Sequence, residues 1–255
     1  MKKKYFDIND KIVIVTGGAR GNGLSIAKGL FDNGAKVVLV DINKQLLNKA
    51  YENFNDINAI KILADINRPS DRKKIIDQTL KNFSKIDCLI NNSGISISNS
   101  SEKYKSGDWE KTISTNLSSI FYLTQEVAKK MIKNKIEGSI INITSLGSSF
   151  GMPNNPAYVA SKGGLKYLSK AMALDWGKYN IRVNNISPGY IQTTMTKKSF
   201  DNKKTRLDRS HRTMLNRWGK PEDLVGAAIF LISSESSYIT GSDLIIDGGW
   251  TAKGL

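Results

Sequence analysis

The chain has 255 residues, of which 40% are hydrophobic, and that is enough for a sizeable core. With one cysteine (Cys88) and one histidine (His211), it has no internal disulfide and no Cys/His zinc site. No apolar run approaches the ~18 residues that a membrane span needs, and the +15 net charge is spread along the chain rather than gathered into a nucleic-acid-binding patch. We therefore expect a single cytoplasmic domain, residues 1–255, without metal, membrane or nucleic-acid partners.

Short β-branched runs alternate with helical patterns along the whole chain. This alternation predicts an α/β fold with a doubly wound parallel sheet. Residues 190–214 contain no clear pattern and are predicted to be irregular and polar. The predicted strands are 11–15, 36–40, 59–64, 86–90, 138–143, 182–186 and 243–246, and the predicted helices are 24–33, 69–83, 108–135, 156–179 and 221–232.

A glycine-rich turn joins the first predicted strand to the first helix. Gly17, Gly21 and Gly23 let the backbone approach a pyrophosphate, and the helix N-terminus supplies N–H groups. Asp41 ends the second strand 24 residues after Gly17 (41 − 17), where a carboxylate can bind ribose hydroxyls. Asp65 ends the third strand and is placed for an adenine contact. This half of the chain predicts a dinucleotide site.

A second candidate site runs from Ser145 to Lys162. Asn155 and Pro156 predict a helix start, as N-cap and first-turn proline, so Tyr158 and Lys162 lie one turn apart on one face. An isolated phenol has a pKa of about 10, and the lysine ammonium is expected to lower the pKa of Tyr158 toward the working range. Ser145 follows a buried strand and can hold a substrate oxygen beside the tyrosine. We interpret this stretch as an acid–base site.

Taken together, these motifs resemble the short-chain dehydrogenase/reductase family over nearly the whole chain. The resemblance implies a seven-stranded Rossmann-type sheet of order 3-2-1-4-5-6-7. It also implies a homotetramer with the helices of Asn116 and Tyr158 at its main interface. The motifs are TGxxxGxG at residues 16–23, Asn91-Asn92-Ser93-Gly94, Asn116, Ser145, Tyr158-x-x-x-Lys162 and Pro188-Gly189.

The resemblance implies a role for each matching residue. Tyr158 would be the general acid–base, and Lys162 would hold the nicotinamide ribose. Ser145 would orient the reacting oxygen, and Asn116 would position a water in a proton relay. The residues that would bind the cofactor are Gly17, Arg20, Gly21, Asn22, Gly23, Asp41, Asp65, Asn92, Gly94, Tyr158, Lys162, Pro188, Ile191 and Thr193.

NAD is the expected cofactor, and NADP is the alternative. The carboxylate of Asp41 would bind both ribose hydroxyls and repel a 2′-phosphate. Arg20 instead favours NADP, because a basic residue just before Gly21 occurs in NADP-using relatives of the family. Asn22 and Ser93 depart from the family pattern, in which an apolar residue and an alanine are usual.

The expected reaction interconverts a secondary alcohol and a ketone on a small, sugar-like substrate, either a sugar acid or a polyol. Residues 213–224 and 247–250 are similar to those of the family's sugar-acid and polyol dehydrogenases, such as the gluconate 5-dehydrogenases. Residues 190–214 are the expected substrate lid, and their seven basic side chains against two acidic ones favour an anionic substrate. If the lid binds an anion, neutralising Lys197, Lys198 and Arg206 should raise KM for a sugar acid.

Two other functions compete with this one. A 3-oxoacyl-carrier-protein reductase shares every catalytic motif, but Ile136 and Tyr179 stand where its carrier-docking arginines align. A non-catalytic cofactor sensor or nucleic-acid-binding relative would be expected to have lost one of the four catalytic residues. All four are present here.

Overall fold

Seven parallel strands form the centre of the computed structural model, which describes residues 4–55 and 57–253. Their order is β3-β2-β1-β4-β5-β6-β7, which confirms the order implied by the family resemblance. The predicted domain limits, residues 1 and 255, lie outside the described ranges. The strands are β1 Ile12–Thr16, β2 Lys36–Asp41, β3 Ala59–Leu63, β4 Cys88–Asn91, β5 Ser139–Ile143, β6 Arg182–Pro188 and β7 Asp243–Ile246.

Nine α-helices lie in the described ranges, and none of them is long and apolar enough to cross a membrane. A π-helical turn, Ser114–Ser118, separates two of these helices. The helices are α1 Gly21–Asp32, α2 Lys44–Tyr51, α3 Pro69–Phe83, α4 Ser106–Ile113, α5 Ser119–Lys133, α6 Pro156–Trp176, α7 Lys197–Asp201, α8 Lys203–Arg212 and α9 Val225–Ile232.

The sheet is covered on both faces, and each face has its own hydrophobic core. On one face, Ile26 and Leu30 of α1 and Leu231 of α9 pack against alternate strand residues. On the other, α3, α5 and α6 contribute side chains such as Ile75 and Leu123. Because neither face of β1 or β4 meets solvent, these strands appear in the sequence as continuous apolar runs. Cys88 is buried in β4.

The predicted single helix over 108–135 is wrong in one respect. It is two helices, α4 and α5, joined in line through the π-helical turn at Ser114–Ser118. Such a turn inserts one extra residue into the helix and is frequent at functional sites. The inserted turn contains Asn116, whose amide is fully buried and bonded to a neighbouring loop.

The prediction that residues 190–214 are irregular is also wrong, because α7 and α8 lie within this segment. Asn202 separates the two helices and caps α8, with its Oδ1 accepting a hydrogen bond from Thr205 N at 2.9 Å. Trp218 Nε1 donates to Arg206 O at 3.0 Å and so anchors α8 from outside. The sequence concealed these helices because almost every α8 side chain is polar and no apolar stripe marks the helical period.

Candidate active site

A cleft of about 730 Å³ opens at the carboxyl ends of the strands, across the point between β1 and β4 where the strand order reverses. Open α/β sheets bind ligands at this position. All the predicted site residues line the cleft except Gly23 and Asn116, which lie directly behind its wall. The sequence therefore located the cleft from both halves of the chain.

The glycine-rich turn forms the floor of one end of the cleft. Gly17 and Gly21 have positive φ angles, +62° and +54°, which favour glycine. A Cβ on Gly23 would lie 2.2 Å from Gly17 O and 2.4 Å from Asn92 Nδ2, so only glycine fits there. Asn92 Nδ2 donates to Thr16 O and Gly17 O at 3.0 and 3.1 Å and thereby fixes the turn to the end of β4.

This floor fits a dinucleotide pyrophosphate. The N-terminus of α1 begins at Gly21, and the first-turn N–H groups of a helix have no partner within the helix. Asn22, also in that turn, lines the cleft, and its buried Oδ1 has no hydrogen-bond partner among the described residues. Buried polar atoms ordinarily have a partner, so this amide is left for a ligand.

The carboxylate of Asp41 is held at the end of β2. Its two oxygens accept hydrogen bonds from Ala19 N at 3.2 Å and Asn43 N at 2.9 Å. Arg20, at the N-cap position of α1, is exposed, and the structure records no ion pair for it within the described ranges. Asp41 is therefore the better fixed of the two groups at this end of the cleft.

Asp65 lines the same end, but its carboxylate is already engaged. Oδ1 accepts from both the backbone and the side chain of Asn67, at 2.9 and 3.0 Å. Asn67 also bonds Ser114 and Thr115 of the π-helical turn. The sequence analysis missed Asn67, although its position two residues after Asp65 is typical of a turn that a carboxylate stabilises.

Helix α6 carries Tyr158 and Lys162 into the other end of the cleft. Pro156 occupies the first turn as predicted, but Asn155 makes no capping hydrogen bond. The Asn155 amide instead donates to Pro153 O and accepts from Ser96 Oγ. Lys162 Nζ lies 5.9 Å from the Tyr158 ring centroid and donates to Ile143 O at 2.6 Å. The lysine is thus held between its own helix and the end of β5.

Ser145 follows β5 and begins the short 3₁₀ helix Leu146–Ser148. Its Oγ accepts a hydrogen bond from Gly147 N at 3.1 Å. Because Gly147 N donates to a lone pair of this oxygen, the hydroxyl proton of Ser145 can point toward the cleft and Tyr158. The arrangement provides a donor beside a phenol, which can hold an oxygen that gains or loses a proton.

The expectation that Lys162 lowers the pKa of Tyr158 is wrong for this structure. The tyrosine side chain as a whole is half-buried, yet burial of its hydroxyl raises its pKa, and the hydrogen bond from Ser145 opposes that rise only in part. Burial also lowers the pKa of Lys162 from 10.5 to about 8. The sequence could not predict the direction of the Tyr158 pKa shift. It placed a positive charge near the phenol but did not show how deeply both groups are buried.

Asn116 joins the two ends of the cleft from behind. Its Oδ1 accepts from Ile95 N and its Nδ2 donates to Ile95 O, both at 2.8 Å. A Cβ on Gly94 would lie 3.4 Å from Asn116 Oδ1 and 3.7 Å from Lys162 Nζ. Both groups therefore approach the same glycine, and the bulged helix turn fixes the loop that follows β4.

The segment predicted to be the lid contributes polar side chains to the cleft, but no basic ones. Thr193, Thr194, Met195 and Thr196 line it, and Thr193 would lie 3.4 Å from a Cβ on Gly21 across the opening. None of the seven basic lid residues is among the lining residues. Those with recorded contacts make them elsewhere: Lys197 pairs with Asp201, Arg206 lies over Phe200, Arg209 over Tyr190 and Arg212 over Trp250. In this structure, the seven basic side chains of residues 190–214 therefore lie outside the cleft lining.

Comparisons with known proteins show which family the chain resembles throughout its length. A family model described as enoyl-(acyl carrier protein) reductase matches residues 17–251. Gluconate 5-dehydrogenase of Gluconobacter oxydans (strain 621H) is 37% identical over 97% of each chain. A 3-oxoacyl-(acyl-carrier-protein) reductase of Chlamydia pneumoniae is 38% identical over 94% of this chain and 97% of its own.

Two solved structures are similar throughout. The crystal structure of a gluconate 5-dehydrogenase from Burkholderia cenocepacia J2315, in complex with NADP and tartrate, has a TM-score of 0.91 and 33% identity, covering 98% of both chains. A 4-hydroxyisoleucine dehydrogenase complexed with NADH has a TM-score of 0.89 and 35% identity, covering 96% of this chain and 100% of its own.

Proposed function

The chain belongs to the short-chain dehydrogenase/reductase family, and from that premise we propose that it interconverts a secondary alcohol and a ketone on a small sugar-like substrate. The observation that carries this proposal is the convergence of Ser145, Tyr158 and Lys162 at one end of a cleft whose other end fits a dinucleotide. These groups supply a proton acceptor, a hydrogen-bond donor and a positive charge within one small volume. A nicotinamide dinucleotide, NAD or NADP, would supply the hydride acceptor or donor when bound.

Each residue has a distinct part in the proposed oxidation. Ser145 donates a hydrogen bond to the substrate hydroxyl oxygen and aligns it with Tyr158. Tyr158 accepts the hydroxyl proton as general base, and returns it as general acid in the reverse direction. Lys162, held by its hydrogen bond to Ile143 O, would bind the nicotinamide ribose beside Tyr158. Asn116 holds the Ile95 backbone and so fixes the loop beside Lys162.

The substrate class is supported by the polarity of this end of the cleft. Ser96, Thr144 and Thr194 line it together with Ser145. Substrate hydroxyls need such partners once water is excluded, whereas an acyl chain does not. Relatives named for gluconate point the same way. A screen of sugar acids, polyols and acyl thioesters with both nicotinamides tests the class directly, and the proposal fails if only thioesters are turned over.

A 3-oxoacyl-carrier-protein reductase is the second candidate, because the Chlamydia pneumoniae relative is as similar as the gluconate enzyme. Those enzymes dock an acidic carrier with two arginines. Here Ile136 is half-buried and Tyr179 is exposed at the aligned positions. Neither side chain carries the positive charge with which an arginine binds a carrier carboxylate, so the sugar-like substrate is preferred.

We expect NAD to be used in preference to NADP. The fixed carboxylate of Asp41 would repel a 2′-phosphate. At an effective dielectric constant of 20, the repulsion energy of two like unit charges 4 Å apart is about 4 kcal/mol. Even partial screening leaves a preference of roughly tenfold or more in kcat/KM. The check is to compare kcat/KM for both cofactors in the wild type and in Asp41→Asn. A wild-type preference for NADP would show that Arg20 dominates.

Neutralising Lys197, Lys198 and Arg206 together should leave KM for a sugar acid within about a factor of two of the wild type. These side chains do not line the cleft, and salt weakens the interaction of exposed charges that make no direct contact with a bound molecule. The measurement is KM at physiological ionic strength for a sugar acid and, as control, for a neutral polyol. A rise confined to the acid would restore the lid as an anion-binding surface.

We also propose that the chain assembles as a homotetramer through α5 and α6. Both helices expose large apolar side chains on their outer faces: Tyr122 on α5, and Tyr167 and Leu174 on α6. Leu174 is 84% exposed, which is unusual for a leucine on a long helix unless another surface covers it. Sedimentation equilibrium of the wild type and of Leu174→Glu would test this, and a wild-type monomer would contradict it.

A further inference from the structure

A buried ion pair lies one helical turn beyond Lys162. Lys166 is on the same face of α6 as Tyr158 and Lys162, four residues further along. Its Nζ lies 2.9 Å from Asp243 Oδ2, at the start of β7, and the two side chains are only 19% and 12% exposed. Removing two charges from water is costly, so a pair buried to this extent needs further contacts to be retained.

Two series of contacts link this ion pair to residues on either side of Ser145 in the sequence. Before Ser145 in sequence, Asp243 Oδ1 accepts from Ser187 Oγ, which in turn contacts Thr144 Oγ1, each at 2.5 Å. After Ser145, Lys166 Nζ donates to Ser149 Oγ at 2.8 Å. The residue just before Ser145 and the end of the turn that follows it are thus tied to the same ion pair.

The loop between these two ties also packs against the core through the buried side chain of Leu146. Ser145 Oγ accepts from Gly147 N, within the same turn, and Ser148 Oγ donates to Ser145 O. These bonds shape the turn, and the hydrogen bond between Ser145 and Tyr158 is its direct polar link to α6. Lys166 and Asp243 join the turn to α6 and to β7 at once.

We propose that Lys166 and Asp243 are positioning residues that hold Ser145 in register with Tyr158. This inference rests on the proposed function, because it assumes that Ser145 aligns the reacting oxygen. Loss of the ion pair lets the Ser145 turn shift relative to the tyrosine. A displacement of about 1 Å is enough to cost up to 10²-fold in rate. The pair contacts neither end of the cleft directly, so substrate and cofactor affinity should change little.

The test compares Lys166→Met and Asp243→Asn with the wild type. Each should lower kcat by roughly tenfold, with KM and the dissociation constant for NADH within about twofold of wild type. Lys166→Arg, which keeps the charge, should recover most of the loss. Lys170→Met is the matched control, since Lys170 lies one turn further along α6, is exposed and contacts only the Tyr167 ring in the recorded cation–π pairs.

A Ser145→Ala background distinguishes positioning from general stability. If Lys166 acts through Ser145, adding Lys166→Met to Ser145→Ala should lower kcat no further. A full additional tenfold loss, or a lower Tm with unchanged kcat, would overturn the inference. Ser187→Ala breaks one tie without leaving a charge unpaired, so it provides the same comparison if a charge-removing variant does not fold.

Failure of this inference can be separated from failure of the proposed function. Ser145→Ala by itself should lower kcat strongly if the proposed site is right. If it does so while the ion-pair variants keep full turnover, the inference alone is overturned. If Ser145→Ala itself keeps full turnover, the acid–base assignment fails and this inference fails with it.

Discussion

Replacing Tyr158 with phenylalanine should lower kcat by roughly 10²–10⁴-fold, the usual contribution of a general acid–base. The change removes one oxygen and leaves the ring, so packing on α6 is preserved. No neighbouring group can replace the phenol as proton acceptor. The Ser145 hydroxyl is too weak a base near neutral pH, and Lys162 is bonded to Ile143 O. Steady-state turnover of the purified variant, with NADH binding followed by fluorescence, is the measurement.

Tyr167→Phe is the control for this variant. Tyr167 lies on the same helix but is 67% exposed and outside the cleft lining. It should keep wild-type turnover. Tyr158→Phe should also bind NADH about as tightly as the wild type, because the pyrophosphate end of the cleft is untouched. Turnover within a few-fold of wild type would rule out Tyr158 as the proton acceptor.

Replacing Gly23 with alanine should weaken NADH binding by about tenfold to a hundredfold. The added methyl would lie 2.2 Å from Gly17 O and 2.4 Å from Asn92 Nδ2, so the glycine turn has to shift. Overpacking of this kind costs about 1–3 kcal/mol, and each 1.4 kcal/mol is a factor of ten in affinity. Titration of NADH fluorescence gives the dissociation constant.

Gly226→Ala provides the matched control. Gly226 is also helical, in α9, and a Cβ there meets nothing within 4 Å. Alanine is favoured over glycine within helices, so this variant should bind NADH normally and be slightly more stable. If Gly23→Ala binds NADH as tightly as Gly226→Ala, the turn is not the pyrophosphate site.

The sequence predicted most strands and the positions of both candidate sites, because both depend on local patterns. Buried parallel strands appear as apolar runs, and β7 was predicted with both its ends correct. Helix α3 was also predicted over its full length. Its start is marked by Pro69, and it ends at Ser84, which adopts a left-handed φ of 63°. Pro69 marks the start of this helix directly, because proline is favoured in the first helical turn.

What the sequence did not predict depends on contacts between distant residues. Lys166 and Asp243 are 77 positions apart (243 − 166), and nothing near either one indicates a pair. The direction of the Tyr158 pKa shift depends on burial of its hydroxyl, which the local sequence pattern does not show. Helix α8 lacks an apolar stripe because its contacts with distant residues are made by polar groups: Arg206 O accepts from Trp218 Nε1, Arg209 lies over Tyr190 and Arg212 lies over Trp250.

The strand order also determines when each end of the cleft can form during synthesis. The ribose end needs only β1, α1, β2 and β3, all complete by residue 65, whereas β7 ends at Ile246. At roughly 5–20 residues per second, the ribosome takes about 10–40 s to make the 181 residues between those points. Until β4 emerges, the open edge of β1 has unpaired backbone groups, the kind of edge that promotes aggregation. Substitutions that delay pairing of β4 with β1 should therefore reduce the yield of folded enzyme without altering the turnover of the molecules that do fold.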